Sequence, residues 1–148
     1  MGFTKEDAKQ LLHARSLRVT GARIAILCVL GDSHHPLSHR EVVDRLGETD
    51  WDPSTIYRNL VKLRESGIAP VASRAEGIDR YALDRGDGHR HPHFFCEDCG
   101  RVTCLPRETV NSLGLTGPWA ESVAAARIQL RGACPDCLAS SHIVRRRA

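Results

Sequence analysis

Aromatic residues are scarce in this 148-residue chain, at 5%, and there is a single methionine, so any core must be built mainly from Leu, Val, Ile and Ala. Long apolar runs are missing too. The longest, Ile24 to Leu30, falls far short of the roughly 20 residues a bilayer-crossing helix needs, which excludes a membrane span. The opening MGFTKEDAKQ carries acids and no apolar stretch, so it does not read as a secretory signal, and the expected compartment is the cytoplasm. In that reducing setting the six cysteines are not expected to form a disulfide framework. A strong excess of either charge is also lacking. The formal net charge is +3, with twelve basic against eleven acidic residues up to Leu83 and nine against seven beyond it. Any nucleic-acid binding must therefore come from local clusters of Arg and Lys and not from the field of the whole protein. What is present, 41% hydrophobic and 26% charged residues, is the balance of a folded chain of one ordinary domain or two small ones.

The first half reads as helices followed by a hairpin. Thr4 with an acid three residues on predicts a capped helix to about Ser16. Thr20 opens a second, with Ile24, Leu27, Cys28 and Leu30 at helical spacing and Gly31 as its expected stop. Ser38-His39-Arg40-Glu41 matches a capping box, and Gly47 closes that helix. Asp52-Pro53 starts a fourth helix, with Ile56, Leu60 and Leu63 on one face and Gly67 at its end. Beyond it, Ile68 to Ser73 and Arg80 to Leu83 predict two short strands joined by Ala75-Glu76-Gly77. This is the element order of a winged helix-turn-helix. Thr55, Arg58, Asn59 and Lys62 fall on the solvent side of the last helix, with Tyr57 near its start. Such side chains suit phosphates and base edges, and equally suit an ordinary solvated helix face.

Asp84-Arg85-Gly86-Asp87-Gly88 marks a composition break and a hinge. Past it, Cys96-Glu97-Asp98-Cys99 and Cys134-Pro135-Asp136-Cys137 form two C-x2-C pairs with 34 residues between Cys99 and Cys134. Each pair holds two thiolates on one side of a tight turn, and two pairs complete the tetrahedral four-sulfur shell of a structural zinc ion. A redox dithiol competes, but that chemistry uses one such motif, and here there are two. Cys28 and Cys104 stand outside the pairs and read as inert, packed thiols. His89, His91 and His93 alternate in an extended segment, which aims all three imidazoles to one face and predicts a second metal site. His34, His35 and His39 supply more imidazoles in the first half. If ligands come from both halves, metal binding would bias the angle between them.

Taken together, these motifs resemble the ferric uptake regulator (Fur) superfamily of metal-dependent transcriptional repressors. The resemblance rests on Leu17-Arg18-Val19-Thr20 with Arg23, on Thr55-Ile56-Tyr57-Arg58-Asn59-Leu60, on His91 through Gly100, and on Cys134 with Cys137, in family order and spanning nearly all of the chain to about Leu138. It implies an α+β protein with an N-terminal winged helix-turn-helix domain at 1–84, a hinge at 85–90, a small α/β dimerisation domain with a four-cysteine zinc site at 91–140, and a basic tail at 141–148. It implies a homodimer that binds double-stranded operator DNA when a divalent regulatory metal is bound. Carried over by position, Tyr57 and Arg58 contact the major groove, Arg18 approaches the minor groove and Arg23 the backbone; Thr55 and Lys62 join them as DNA-binding candidates from their place on the solvent side of the helix. Cys96, Cys99, Cys134 and Cys137 hold the structural Zn2+. His91 and His93 match two regulatory ligands. The family's hinge carboxylate falls at Ala82, which cannot bind metal, and its N-terminal histidine falls near Pro36. His89 would replace the carboxylate, and His35 or His39 the histidine, giving a nitrogen-rich site suited to Fe2+, Zn2+ or Ni2+ over Mn2+. The family's additional site is not expected where Arg90 and Pro92 stand, nor is peroxide sensing through histidine oxidation expected without the carboxylate.

Two other classes compete. His39-Arg40-Glu41 with a cysteine pair superficially resembles a zinc deaminase, but here the proline lies inside the pair and a four-cysteine shell leaves no position for water, so an enzyme is not expected. A structural zinc-ribbon module binding protein or RNA would need neither the Tyr57-Arg58 helix nor the histidines.

Overall fold

The computed structural model describes residues 2–85 and 91–140, which form two units, one on each side of the 86–90 segment. His89, most of the expected hinge and the basic tail lie outside the described residues.

The first unit opens with α1 (Lys5–Ala14) and α2 (Gly21–Asp32), continues through β1 (Leu37–Ser38), α3 (His39–Leu46) and α4 (Pro53–Glu65), and closes with β2 (Val71–Ala75) and β3 (Ile78–Tyr81). Each major helix starts on a side-chain cap that satisfies an otherwise orphaned backbone N–H. Thr4 accepts from the Asp7 N–H, Thr20 from Arg23, Ser38 from Glu41 and Asp52 from Thr55. Ala8 and Leu12 of α1, Ile26, Leu27 and Leu30 of α2, Val42 of α3, and Ile56, Leu60 and Leu63 of α4 meet in one core with Ile68, Tyr81 and Leu83. Glu41 ties this core to the wing. Burial penalises its carboxylate, but the Ser38 N–H and hydroxyl and the Arg80 guanidinium outweigh that and hold its pKa below the usual value.

Three sequence expectations need correction. Gly31 does not end α2, which runs on to Asp32 and is capped by Ser33. Gly31 is buried inside the helix because Phe3 packs on its Cα; a Cβ there would lie 2.3 Å from Phe3 Cγ. Gly31→Ala is therefore expected to destabilise the first unit by about 1–3 kcal/mol, the usual cost of overpacking, read as a lower urea midpoint at unchanged slope. The strands are also displaced. Ile68 and Ala69 donate their N–H groups to Leu63 O at 3.0 and 3.1 Å, closing the end of α4 behind Gly67 (φ +78°), so β2 starts only at Val71. The hairpin turns on Glu76 and Gly77, both left-handed (φ +53° and +75°), as a two-residue connection requires. Finally, β3 is central: the sheet order is β1-β3-β2, with Leu37 opposite Tyr81 and Ser38 opposite Arg80, a third strand that the sequence had read only as a helix cap. Arg85, at the start of the expected hinge, donates to the Gly31 carbonyl.

The second unit comprises β4 (His93–Cys96), β5 (Val102–Cys104), α5 (Glu108–Asn111), α6 (Pro118–Ala125) and β6 (Gln129–Gly132). Its sheet has the order β5-β4-β6, with β4 antiparallel to β5 and parallel to β6. A parallel pair needs a crossover, which the stretch carrying α5 and α6 provides. Neither helix buries a residue against the described residues, and Trp119 on α6 is 73% exposed.

Candidate nucleic-acid interface and metal centres

The buried stripe of α4 fixes what its other side presents. With Ile56, Leu60 and Leu63 inside, Tyr57 (49% exposed), Arg58 and Lys62 face outward. The start of the helix is rigidly built. Asp52 accepts from the Ser54 hydroxyl at 2.6 Å and the Thr55 N–H at 2.7 Å, and these bonds hold its carboxyl below the usual range. The Thr55 hydroxyl accepts from Arg58 at 3.2 Å, and the Thr55 carbonyl accepts from Asn59 Nδ2 at 2.9 Å. Asn59 Oδ1 in turn accepts from Arg23 Nε at 3.1 Å, while another Arg23 nitrogen donates to the Arg18 carbonyl at 2.8 Å. Asn59, placed on the solvent side by the sequence, is thus half-buried and joins α4 to α2. Arg23 braces this joint and leaves the Arg18 side chain exposed beside it. Lys62 makes only an exposed 3.5 Å pair with Glu65, which contributes little to stability.

His39 and His35 sit differently from each other. His39 Nε2 lies 2.7 Å from the Pro53 carbonyl, which can only accept, so that nitrogen carries a proton. Its ring meets Tyr57 edge-on at 5.5 Å. His39 therefore steadies Tyr57 and the start of α4. His35 Nδ1 lies 3.2 Å from the Pro36 carbonyl, which leaves its Nε2 lone pair facing Arg45 at 3.2 Å. Ala82 is buried and offers no donor atom.

The second unit assembles its cysteines through strand register. Parallel pairing sets Cys96 opposite Gly132, so the chain leaving β6 delivers Cys134 to the first C-x2-C turn. That turn is closed by Gly100 N–H to Cys96 O at 2.9 Å, with Gly100 at φ +74°. The Sγ atoms of Cys96, Cys99, Cys134 and Cys137 all lie within 4.8 Å of one another, and Cys99 and Cys134 are 3.9 Å apart at sulfur. A tetrahedral zinc with Zn–S near 2.3 Å requires sulfurs about 3.8 Å apart, so the four thiols are placed to grip the ion with only small side-chain shifts. Its electrostatics ask for a cation. N–H groups of Cys99 and Cys134 lower the pKa of buried Cys96 to about 6, whereas sharing a hydrogen bond with Cys134 pushes Cys137 up to about 12. One thiolate forms easily and a second resists, until a divalent ion compensates them. Arg101–Asp136 (2.8 Å) and Arg131–Glu97 (3.2 Å) pair charges across the two turns.

A second cluster lies at the other end of β4. The ligand atoms of His91, His93 and Cys104 fall within 4.8 Å of one another, and the two imidazole centroids are 4.9 Å apart. Cys104, read from sequence as an inert thiol, stands directly opposite His93 across the β4–β5 pair. A signal was available: extending the hairpin outward from the Cys96–Arg101 contact places Cys104 across from His93.

A winged-helix unit with a basic, aromatic-bearing recognition face, followed by a zinc-bearing αβ unit with a separate histidine cluster, defines a metal-linked DNA-binding regulator. The chain belongs to the ferric uptake regulator family, whose model matches residues 14–126. It is 26% identical over 137 residues to the peroxide-responsive repressor PerR of Staphylococcus aureus, covering 89% of this chain and 90% of that one. Among solved structures it is similar to the Vibrio cholerae ferric uptake regulator, with TM-score 0.64, 25% identity, and 85% of this chain and 98% of that chain covered. It also shares its fold with a zinc uptake regulator solved with zinc and DNA, with TM-score 0.58, 24% identity, and 93% and 95% covered. Membership of this family decides against the zinc-ribbon module and against an enzyme. Among the described residues, no helix is long and apolar enough to cross a membrane.

Proposed function

We propose that the protein is a metal-dependent transcriptional repressor that acts in the cytoplasm and binds operator DNA as a homodimer. The observation that carries this reading is the outward face of α4, where Tyr57, Arg58 and Lys62 stand exposed on a helix braced through Thr55, Asn59 and Arg23. Arg58 and Tyr57 would read the major groove, Arg18 would approach the minor groove, and Arg23 would act chiefly by holding α4 in place. The proposed organisation is a DNA-binding domain at 1–84, a hinge at 85–90, a dimerisation domain at 91–140 and a basic tail at 141–148. Cys96, Cys99, Cys134 and Cys137 hold the structural zinc, and His91 and His93 hold the regulatory metal. Of the first unit's histidines, His35 or His39 would add a ligand, His35 through the Nε2 that now faces Arg45 and His39 through Nδ1, since its Nε2 donates to Pro53. His89 remains a further proposed donor. When bound, a divalent ion supplies the Lewis acid that gathers these imidazoles.

The test is an anisotropy titration of a labelled fragment of the protein's own promoter at fixed salt, with structural zinc retained and Zn2+, Fe2+, Ni2+ or Mn2+ added stepwise. At least one metal is expected to tighten binding by about 5–150-fold, the usual span of a coupling free energy. Affinity that stays the same across every metal would refute the reading.

A further inference from the structure

We propose that Cys104 is a thiolate ligand, completing with His91 and His93 a mixed imidazole–thiolate site for a borderline divalent cation such as Zn2+ or Co2+. That the site is regulatory rests on the function proposed above; that Cys104 ligates rests on geometry alone.

The three donors are brought together by backbone pairing and not by chance proximity. His93 and Cys104 are partners in the β4–β5 register, and partners share a face with Cβ atoms about 5 Å apart. His91 stands two residues before His93, at a bend leading into β4, and its ring lies 4.9 Å from that of His93. The Leu105 N–H donates to the Pro92 carbonyl at 2.8 Å, pinning the hairpin end beside which all three side chains emerge. His93 is only 3% exposed, while Cys104 and His91 are half-buried, so the cluster has a sheltered floor and an open side. An ion with bonds of 2.0–2.3 Å draws its donors to roughly 3.5 Å from one another, reached from within 4.8 Å by small side-chain rotations.

This centre is distinct from the four-cysteine shell. His93 begins β4 and Cys96 ends it, three residues or about 10 Å along the strand. The chemistry differs as well. On binding, the Cys104 S–H bond breaks, its proton passes to solvent, and the sulfur pair forms the bond to the metal. Two neutral imidazoles and one thiolate leave a divalent site with a net charge of +1, open to a further ligand. The four-thiolate shell is closed and carries −2. A thiolate selects zinc, cobalt or nickel over manganese or magnesium, which prefer oxygen donors.

The experiment adds Co2+ to protein carrying one zinc per chain, with zinc content measured throughout so that cobalt entering the four-cysteine shell is identified. The wild type is expected to develop a near-ultraviolet thiolate-to-cobalt charge-transfer band with zinc retained, and Cys104→Ser to lose that band. Alkylation mapped by mass spectrometry supplies a readout that needs no variant: bound metal is expected to slow modification of Cys104 in the wild type. Cobalt binding without the band, an undiminished band in Cys104→Ser, or alkylation of Cys104 indifferent to metal would overturn the assignment. The two proposals fail separately. Metal-dependent operator binding without the band removes Cys104 and leaves the repressor. The band with metal-indifferent operator binding does the reverse.

Discussion

Cys96→Ser is expected to cost the second unit its fold while the first unit survives. The reason lies in how little else holds the second unit together. Its strands are four, three and four residues long, and α5 and α6 bury nothing among the described residues. Beyond residue 90 the described hydrophobic core consists of Phe95, Cys96, Val102 and Cys134, two of them zinc ligands, whereas the first unit packs four helices and a wing around one cluster. Binding of a structural zinc ion is worth about 10–16 kcal/mol in small zinc-dependent domains. Whole domains are stable by only about 5–15 kcal/mol. Loss of the ion thus removes as much as such a unit has to lose. Calorimetry should show two transitions for the zinc-loaded protein and only that of the first unit for Cys96→Ser or after chelation. A second transition that persists in metal-free protein would show that packing alone suffices.

The second large effect concerns regulation. The His91→Ala/His93→Ala double variant should retain its zinc, its fold and its metal-free affinity for DNA, because the exposed basic residues proposed to meet DNA belong to α4 and its neighbours. What it should lose is the metal-stimulated increment, about 5–150-fold. Linkage adds a reciprocal check: operator DNA must tighten metal binding to the wild type by the same factor, and must leave metal binding to the variant unaltered. A full metal response in the double variant would move the regulatory centre elsewhere in the molecule.

Features set by a few adjacent residues could be read from the chain directly. Caps at Thr4, Thr20, Ser38 and Asp52 are local hydrogen-bond chemistry and required no knowledge of the tertiary fold. The paired C-x2-C turns were legible for the same reason. What escaped depends on partners distant in sequence. Gly31 looks like a helix stop until Phe3, far upstream, is found against it. A two-residue strand such as β1 has no periodicity to detect and exists only because β3 pairs with it. Asn59 seemed a surface residue because helical spacing assigns faces without revealing that Arg23 reaches across from α2. The surroundings of His39 and Cys104 were equally out of reach: spacing shows neither that His39 Nε2 meets the Pro53 carbonyl and its ring meets Tyr57, nor that the hairpin sets Cys104 beside two imidazoles.

A single short strand bears donors of both proposed centres, Cys96 at one end and His93 at the other. If that strand forms only around zinc, as expected of the Cys96→Ser experiment, the proposed regulatory ion finds its donors in place only in chains that have already taken up zinc, and zinc supply would limit how many chains can respond.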